Sequence, residues 1–292
     1  MPSQPPTFEL QSHSLYSDGE LAPAAVVQAA AEAGVELLAL TDHDSVGGVG
    51  EASEAARGSG VGFVTGVEIS TIYADVADLH ILGYCIDTSN EPLRRRLEQS
   101  RADRESRAGR MIDALRELGF VVDEGRLAER TAAGKTVGRP HIAEAVMAHP
   151  ANAERIAAEG HASASAFLVA YLIEGRPAFR PRAAPSVPEA IELIHGAGGL
   201  AVWAHPFWDI PAPARVLETL AEFKGMGIDG VEAFYVTHTQ EQTELLVKRS
   251  EELHLLITGS SDFHGPNHRQ FNRFRAFDTH GLEPRLGRIS PS

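Results

Sequence analysis

The chain holds a single cysteine, Cys85, among its 292 residues. One thiol excludes an internal disulfide framework and a cysteine-built zinc ribbon. Its setting, Leu79-His80-Ile81-Leu82-Gly83-Tyr84-Cys85-Ile86, reads as an apolar strand with the thiol buried in it. Long apolar runs are also missing, since none approaches the roughly 18 residues of a membrane span. Met1 to Thr7 is Pro-rich and polar, without the basic segment and apolar core of a signal peptide, so a cytoplasmic protein with no membrane partner is expected. Basic charge is scarce, with 26 Lys plus Arg against 40 Asp plus Glu. That balance disfavours long-range attraction to duplex nucleic acid, and any phosphate contact has to be local.

Three familiar motifs fail. Gly134-Lys135-Thr136 lacks the earlier glycine of a phosphate loop, because Glu129 stands there. Gly47-Gly48-Val49-Gly50 lacks the spacing and the acidic ribose partner of a dinucleotide fold. Ser12 and Ser14 lie in no Gly-x-Ser-x-Gly elbow.

What is present is an ordinary globular composition, 43% hydrophobic, long enough for one large α/β barrel or two modest domains. Strands are expected at Phe8 to Gln11, Val35 to Leu40, Val61 to Thr65 and Leu79 to Ile86, with helices at Pro23 to Ala33 and Glu51 to Arg57. Gly34 falls where a helix end favours glycine. The alternation argues for a parallel sheet. From about Pro92 to Ala184 the rhythm turns helical, with Leu93, Leu97, Ala108, Met111, Leu115 and Leu118 near helical spacing. Further helical stretches follow at Glu124 to Arg130, Arg139 to Met147 and Ser163 to Glu174. Arg101, Arg104, Arg107 and Arg110 read as a solvated face with ion pairs. Alternation then resumes: helices at Val187 to His195, Pro213 to Phe223 and Glu241 to Leu253, strands at Leu200 to Trp203, Gly230 to Ala233 and Leu255 to Thr258. Beyond about Asn267 little periodicity remains, and loop is expected.

Histidines and carboxylates stand in small packets: His13 with Asp18, Asp42-His43-Asp44, Glu68, His80, His205, and Asp262 with His264. Several of them close an apolar run. Side chains at the carboxyl ends of successive barrel strands converge on one mouth, so the packets together form a split metal site. Imidazole and carboxylate in this mixture suit first-row divalent ions, and carboxylates that bridge histidines suit two or three of them.

The ordered set resembles the PHP (polymerase and histidinol phosphatase) phosphoesterases, in particular their nucleotide and nucleoside-bisphosphate phosphatase branch. The residues that carry the resemblance are Gln11-Ser12-His13-Ser14 with Ser17-Asp18-Gly19, Leu40-Thr41-Asp42-His43-Asp44, Gly66-Val67-Glu68-Ile69-Ser70, Leu79-His80-Ile81-Leu82-Gly83, Gly138-Arg139-Pro140-His141, Ala204-His205-Pro206 and Ser261-Asp262-Phe263-His264-Gly265. The resemblance implies a distorted seven-stranded β/α barrel formed by residues 8–91 and 185–266, a helical insertion, 92–184, that covers the site, and a tail, 267–292. It also implies two or three divalent ions (manganese, zinc, iron or magnesium) in three overlapping groups. These are His13, Glu68 and Asp262; Glu68, His80 and His205; and Asp18, His43 and His264. Glu68 would bridge two ions, and Asp42 would orient His43 from behind. The family's first motif is normally His-x-His, whereas Gln11 stands at its head here. A neutral amide oxygen is a poor substitute for imidazole, so the first ion is expected to be held more weakly.

Such a site would hydrolyse phosphate monoesters of small nucleotides, AMP-like or nucleoside 3′,5′-bisphosphate, by in-line attack of a metal-activated hydroxide between ions about 3.5–4 Å apart. Arg139, His141 and Arg176 are the phosphate-binding candidates, with His141 also a candidate general acid. His238, on a loop after a strand, is a further substrate candidate. Phe207, Trp208, Phe234 and Tyr235 could stack on a base or simply pack the barrel. The alternatives are an exonuclease on short RNA, a nonhydrolytic nucleotide sensor, and an amidohydrolase-type enzyme. The last is disfavoured by the lack of a bridging lysine at a strand end.

Overall fold

The computed structural model describes residues 6–74, 76–132, 137–181 and 183–290. Two compact units emerge, one made of Met1–Glu98 with Ala184–Ser292, the other of Gln99–Ala183.

The first unit is built on one seven-stranded sheet whose spatial order equals its sequence order. The strands are β1 (Phe8–Glu9), β2 (Leu37–Leu40), β3 (Gly62–Tyr73), β4 (Val76–Tyr84), β5 (Leu200–Trp203), β6 (Gly230–Tyr235) and β7 (Leu256–Ser260). Just past β1, Leu10 N–H donates to Gly259 O at 3.3 Å and Ser12 bridges Phe263 in parallel. The sheet is thereby nearly closed into a barrel.

The expectation of a wholly parallel sheet is corrected at β4, which runs antiparallel to both β3 and β5. Two residues separate β3 from β4, and a parallel crossover needs a dozen or more. The reversal brings Glu68 of β3 opposite Leu82, and His80 opposite Ser70, so one hairpin supplies both Glu68 and His80. Cys85 also departs from expectation. It lies beyond the end of β4 with φ +57°, partly exposed, its Sγ 3.7 Å from Arg288 O.

Helices α1 (Pro23–Glu32), α2 (Val49–Ala56), α8 (Val187–Gly196), α9 (Pro206–Asp209), α10 (Pro213–Met226) and α11 (Gln240–Glu252) belong to this unit. Local chemistry sets their ends. Pro23 opens α1 at a position where its missing N–H costs nothing, and Gly34 follows it at φ +75°. Ser186 caps α8 and Thr239 caps α11, each in a reciprocal box with Glu189 or Gln242. Between sheet and helices, Ile81, Ile191, Trp203, Leu220 and Phe223 form part of one continuous apolar core.

The second unit is helical, with α3 (Glu91–Glu117) entering it, then α4 (Glu124–Ala132), α5 (Arg139–Met147), α6 (Ala153–Ala158) and α7 (Ala164–Tyr171). Its core is its own: Met111, Leu115, Phe120, Ile142, Val146 and Phe167 pack together. The arginine row on α3 is only partly a solvated face. Arg101 and Arg110 are exposed, but Arg107 is half-buried, donates to Arg180 O at 2.7 Å and sits over the Phe179 ring. Gly134-Lys135-Thr136 lies outside the described residues.

The tail is irregular yet packed. Phe271, Phe274, Phe277 and Ile289 are buried, and Ile257 pairs with Arg285. Among the described residues no helix is long and apolar enough to cross a membrane.

Candidate metal centre

Glu68 lies at the centre of the barrel mouth, fully buried. Its two oxygens face different neighbours. Oε1 is 2.8 Å from His80 Nδ1 and 3.3 Å from His205 Nε2. Oε2 is 3.2 Å from His13 Nε2 and 3.6 Å from His43 Nδ1. Asp262 Oδ1 completes the second side, 3.0 Å from His13 Nε2. Asp18 gathers a third set, with His264 Nε2 at 3.5 Å and His43 Nε2 at 3.7 Å. Three groups of ligand atoms, each within 4.8 Å of one another, result: His13, Glu68 and Asp262; His43, Glu68 and His80; and His13, Asp18, His43 and His264.

Most of these donors follow strand ends, but Glu68 and His80 lie within β3 and β4 and not at their ends as the packets suggested. His205 and Asp262 leave β5 and β7 in the left-handed region, φ +28° and +54°, a conformation that costs energy and persists where the surroundings impose it. The His205 N–H donates to Glu232 Oε2 at 2.9 Å, and Tyr235 O–H donates to Asp262 Oδ2 at 2.8 Å. His264 Nδ1 lies 2.7 Å from Asp262 O, which commits Nδ1 to that carbonyl and turns Nε2 toward Asp18.

The donors fit a cation. His13 Nε2, Asp18 Oδ1, His43 Nδ1 and Asp262 Oδ1 are buried and find no hydrogen-bond partner among the described residues. Buried polar atoms are seldom left so. Four such atoms of ligand type in one cavity form a site whose missing partner is positively charged.

Charge in the cluster is finely balanced. Burial works against protonation of His13, but the close Asp262 and Glu68 carboxylates outweigh it and raise its pKa well above 6.5. Burial alone would raise Glu68, yet the imidazoles His43, His80, His13 and His205 hold it well below the usual carboxylate range. His43, without a hydrogen-bonded carboxylate, is pushed down to about 4 by burial. A divalent ion therefore has to expel the His13 proton. We predict release of at least one proton at pH 7 when the ion held by His13 binds, and an affinity for that ion that falls by up to about tenfold per proton for each pH unit below the raised pKa. Calorimetry in two buffers of different ionisation enthalpy measures this, and binding heats independent of the buffer would contradict it. In the metal-free protein the same raised pKa stabilises the fold fully below 6.5, a contribution lost as pH rises through the folded-state value.

The family follows from comparison. A PHP domain model matches residues 9–129. A 5′-3′ exoribonuclease from Haemophilus influenzae is 33% identical over 89% of this chain and 90% of its own length. The chain belongs to the PHP family. A 3′,5′-nucleoside bisphosphate phosphatase from Chromobacterium violaceum is 30% identical over 89% of this chain and 87% of its own. A solved structure of a proposed metal-dependent phosphoesterase from Bifidobacterium adolescentis superposes with a TM-score of 0.72 at 30% identity, covering 91% of each chain. This PHP protein is accordingly a metal-dependent phosphoesterase, and its clustered histidines and carboxylates are consistent with a site for several ions.

Other PHP motif residues take different places. Gln11 is buried and does not turn its oxygen to the cluster: Nε2 donates to Glu68 Oε2 at 2.9 Å, and Oε1 lies 3.5 Å from Ser260 Oγ. Asp42 does not orient His43. It accepts from Ser14 N–H, Ser14 Oγ–H and Ser17 Oγ–H, each at 2.7 Å, and so ties down the loop that carries His13 and Asp18. Those bonds also give Ser14 and Ser17 structural work. His238 is buried, its Nδ1 3.0 Å from Ala233 O, and burial pushes it down to about 4. Arg139 and His141 open α5, where Gly138 N–H donates to His141 Nδ1 at 3.0 Å. Arg176 is exposed after Gly175. These three belong to the helical unit. Phe234 and Phe207 are core residues, Tyr235 is buried against Asp262, and Trp208 alone of the four aromatics is exposed.

Two carboxylates escaped the sequence reading. Glu9 accepts from Ser261 N–H and Oγ–H and from Arg275 N–H, and burial pushes it up to about 7. Glu232 supports the His205 backbone and accepts from Ser260 Oγ–H at 2.6 Å, and burial pushes it up to about 8. A lone acid inside an apolar strand, as in Gly230-Val231-Glu232-Ala233-Phe234, was the available signal. Asp209, one helical turn beyond His205, places Oδ2 3.7 Å from His205 Nδ1.

Proposed function

We propose that this protein removes phosphate from small nucleotides, either mononucleotides or nucleoside 3′,5′-bisphosphates. The observation that carries the reading is Glu68, whose two oxygens each serve a separate set of imidazoles, the arrangement a carboxylate bridging two cations requires. In this reading His13, Glu68 and Asp262 hold one ion, Glu68, His80 and His205 a second, and Asp18, His43 and His264 a third. Bound divalent ions supply charge neutralisation at the phosphoryl oxygens and lower the pKa of water. Manganese, zinc, iron and magnesium are all compatible with mixed imidazole and carboxylate donors.

The chain's own groups supply the rest. Tyr235 fixes Asp262 and leaves its other oxygen for the cluster, and Glu232 holds His205 through the backbone. Gln11 donates to Glu68, and so orients the bridging carboxylate instead of adding a fourth ligand to the first group. Arg139 and Arg176 bind phosphate oxygens, for which a guanidinium fork is suited. His141 accepts the Gly138 N–H through Nδ1, so its proton sits on Nε2. It donates from there to a phosphoryl or leaving oxygen, and full proton transfer would require that cap to break. His238, with Nδ1 committed to Ala233 O, offers Nε2 as an acceptor, which suits a ribose hydroxyl and not a phosphate.

The Haemophilus influenzae relative favours a second reading, the same site working on the diester of a short RNA. One experiment separates the two. Metal-stripped protein reconstituted with manganese is given AMP, adenosine 3′,5′-bisphosphate and 5′-phosphorylated di- to tetranucleotides. Inorganic phosphate from the first two, with dinucleotide left intact, is the expected result. Stepwise mononucleotide release from the oligomers, with AMP untouched, would replace it by the exonuclease.

A further inference from the structure

The chain has two tryptophans. Trp203 is wholly buried in β5, whereas Trp208 is 52% exposed. A lone exposed apolar side chain needs no explanation, but Trp208 is not alone. It rides on α9, whose first turn is tied to the cluster because Trp208 N–H donates to His205 O at 2.9 Å. Its ring centroid lies 5.7 Å from that of Phe271 in the tail. Phe271 is itself tied to the cluster, its carbonyl accepting His264 N–H at 2.9 Å. Its ring lies 5.4 Å from His264 and stacks on His268 at 5.2 Å and 15°. His268 Nδ1 accepts the Phe271 N–H at 2.9 Å, which fixes that ring in place. Rings therefore run without a break from His264, inside the cluster, through Phe271 to the exposed indole.

We propose that Trp208, backed by Phe271 and His268, is a nucleobase platform, on which the base of a nucleotide stacks while its phosphate occupies the His and carboxylate cluster. The inference rests on the nucleotide reading above and names where the base goes. Tethering through His205 and His264 fixes the distance between platform and cluster, as a ligand with a phosphate at one end and a flat ring at the other requires. Stacking is tolerant of base identity because every base has a π-face, so all four nucleotides are accepted.

The test uses the metal-loaded protein and its two indoles. Because Trp203 is buried, AMP is expected to quench the emission of Trp208 saturably, and ribose 5-phosphate is not. In Trp208→Ala the quench disappears and the KM for AMP rises about tenfold, consistent with the loss of one base stack. Its kcat stays unchanged, as do its kinetics on ribose 5-phosphate, and Trp208→Phe restores most of the AMP affinity. Equal weakening toward AMP and ribose 5-phosphate would mean a structural role and overturn the proposal, as would a quench that persists in Trp208→Ala. If no ester is hydrolysed, the phosphatase reading fails, but the quench still reports on the platform. A saturable signal lost in Trp208→Ala supports it, and the absence of any signal from AMP overturns it.

Discussion

Glu68→Gln is expected to lose at least about 10³-fold in metal-dependent phosphate release while remaining folded. The replacement keeps the shape of the side chain but removes the charge that both halves of the cluster share. Oε1 serves His80 and His205, and Oε2 serves His13 and His43, so one substitution weakens two cation sites together. A metal that stabilises phosphoryl charge contributes several kcal/mol to the transition state, and each 1.36 kcal/mol is about tenfold in rate. The amide also faces its NH₂ to groups that now meet a carboxylate. His13, held protonated partly by Glu68, loses part of that support, and its pKa falls. Metal content by mass spectrometry should drop by at least one ion per chain, with circular dichroism unchanged. Turnover within tenfold of the parent, at full metal content, would remove Glu68 from the role of bridge.

The second large effect lies at a residue with no side chain. A Cβ built on Gly19 would stand 2.3 Å from His13 O, 2.5 Å from His13 C and 2.7 Å from Ser14 N. All three are backbone atoms, so no rotamer change relieves the clash. Gly19 closes a tight turn, its N–H and that of Ser17 both donating to Ser14 O at 3.0 and 3.1 Å. Gly19→Ala must open that turn, and Asp18 moves with it away from His43 and His264. Overpacking of this kind costs about 1–3 kcal/mol, and a misplacement of about 1 Å near a reacting centre costs about 10²-fold in rate. A lower melting temperature and a hundredfold fall in kcat are expected. Gly50→Ala is the control, since a Cβ there meets nothing within 4 Å and alanine favours the helix. Activity of Gly19→Ala within about threefold of Gly50→Ala would show that the loop tolerates opening.

Much of the site was legible because its donors stand beside local signals. The apolar run Leu37 to Leu40 marks β2, and His43 follows it within three residues. Leu200–Trp203 marks β5, with His205 two residues on. Helices announced themselves through Pro23, Ser186 and Thr239, whose preferences act over one turn. The reading failed where partners lie far apart. Asp42 is adjacent to His43 in the chain, but its bonds go to Ser14 and Ser17, some 25 to 28 positions away. The tail showed no periodicity, yet Phe271 reaches His264 and Phe274 stacks on Phe263. Single aromatic residues spaced by polar ones carry no pattern that separates a packed tail from a loose one.

The sequence by itself determined which donors exist, in what order, and that most of them end strands, because side-chain period and capping chemistry are encoded within a few neighbours. It also determined that a neutral amide, Gln11, stands among the ligands. Only the tertiary structure decided that β4 turns back along β3, so that one hairpin brings both Glu68 and His80, and that Gln11 spends its N–H on Glu68. Only there, too, do Glu9 and Glu232 become supports behind the cluster. Strand direction and register arise from hydrogen bonds between segments distant in sequence, and those bonds decide which oxygen of a carboxylate meets which imidazole.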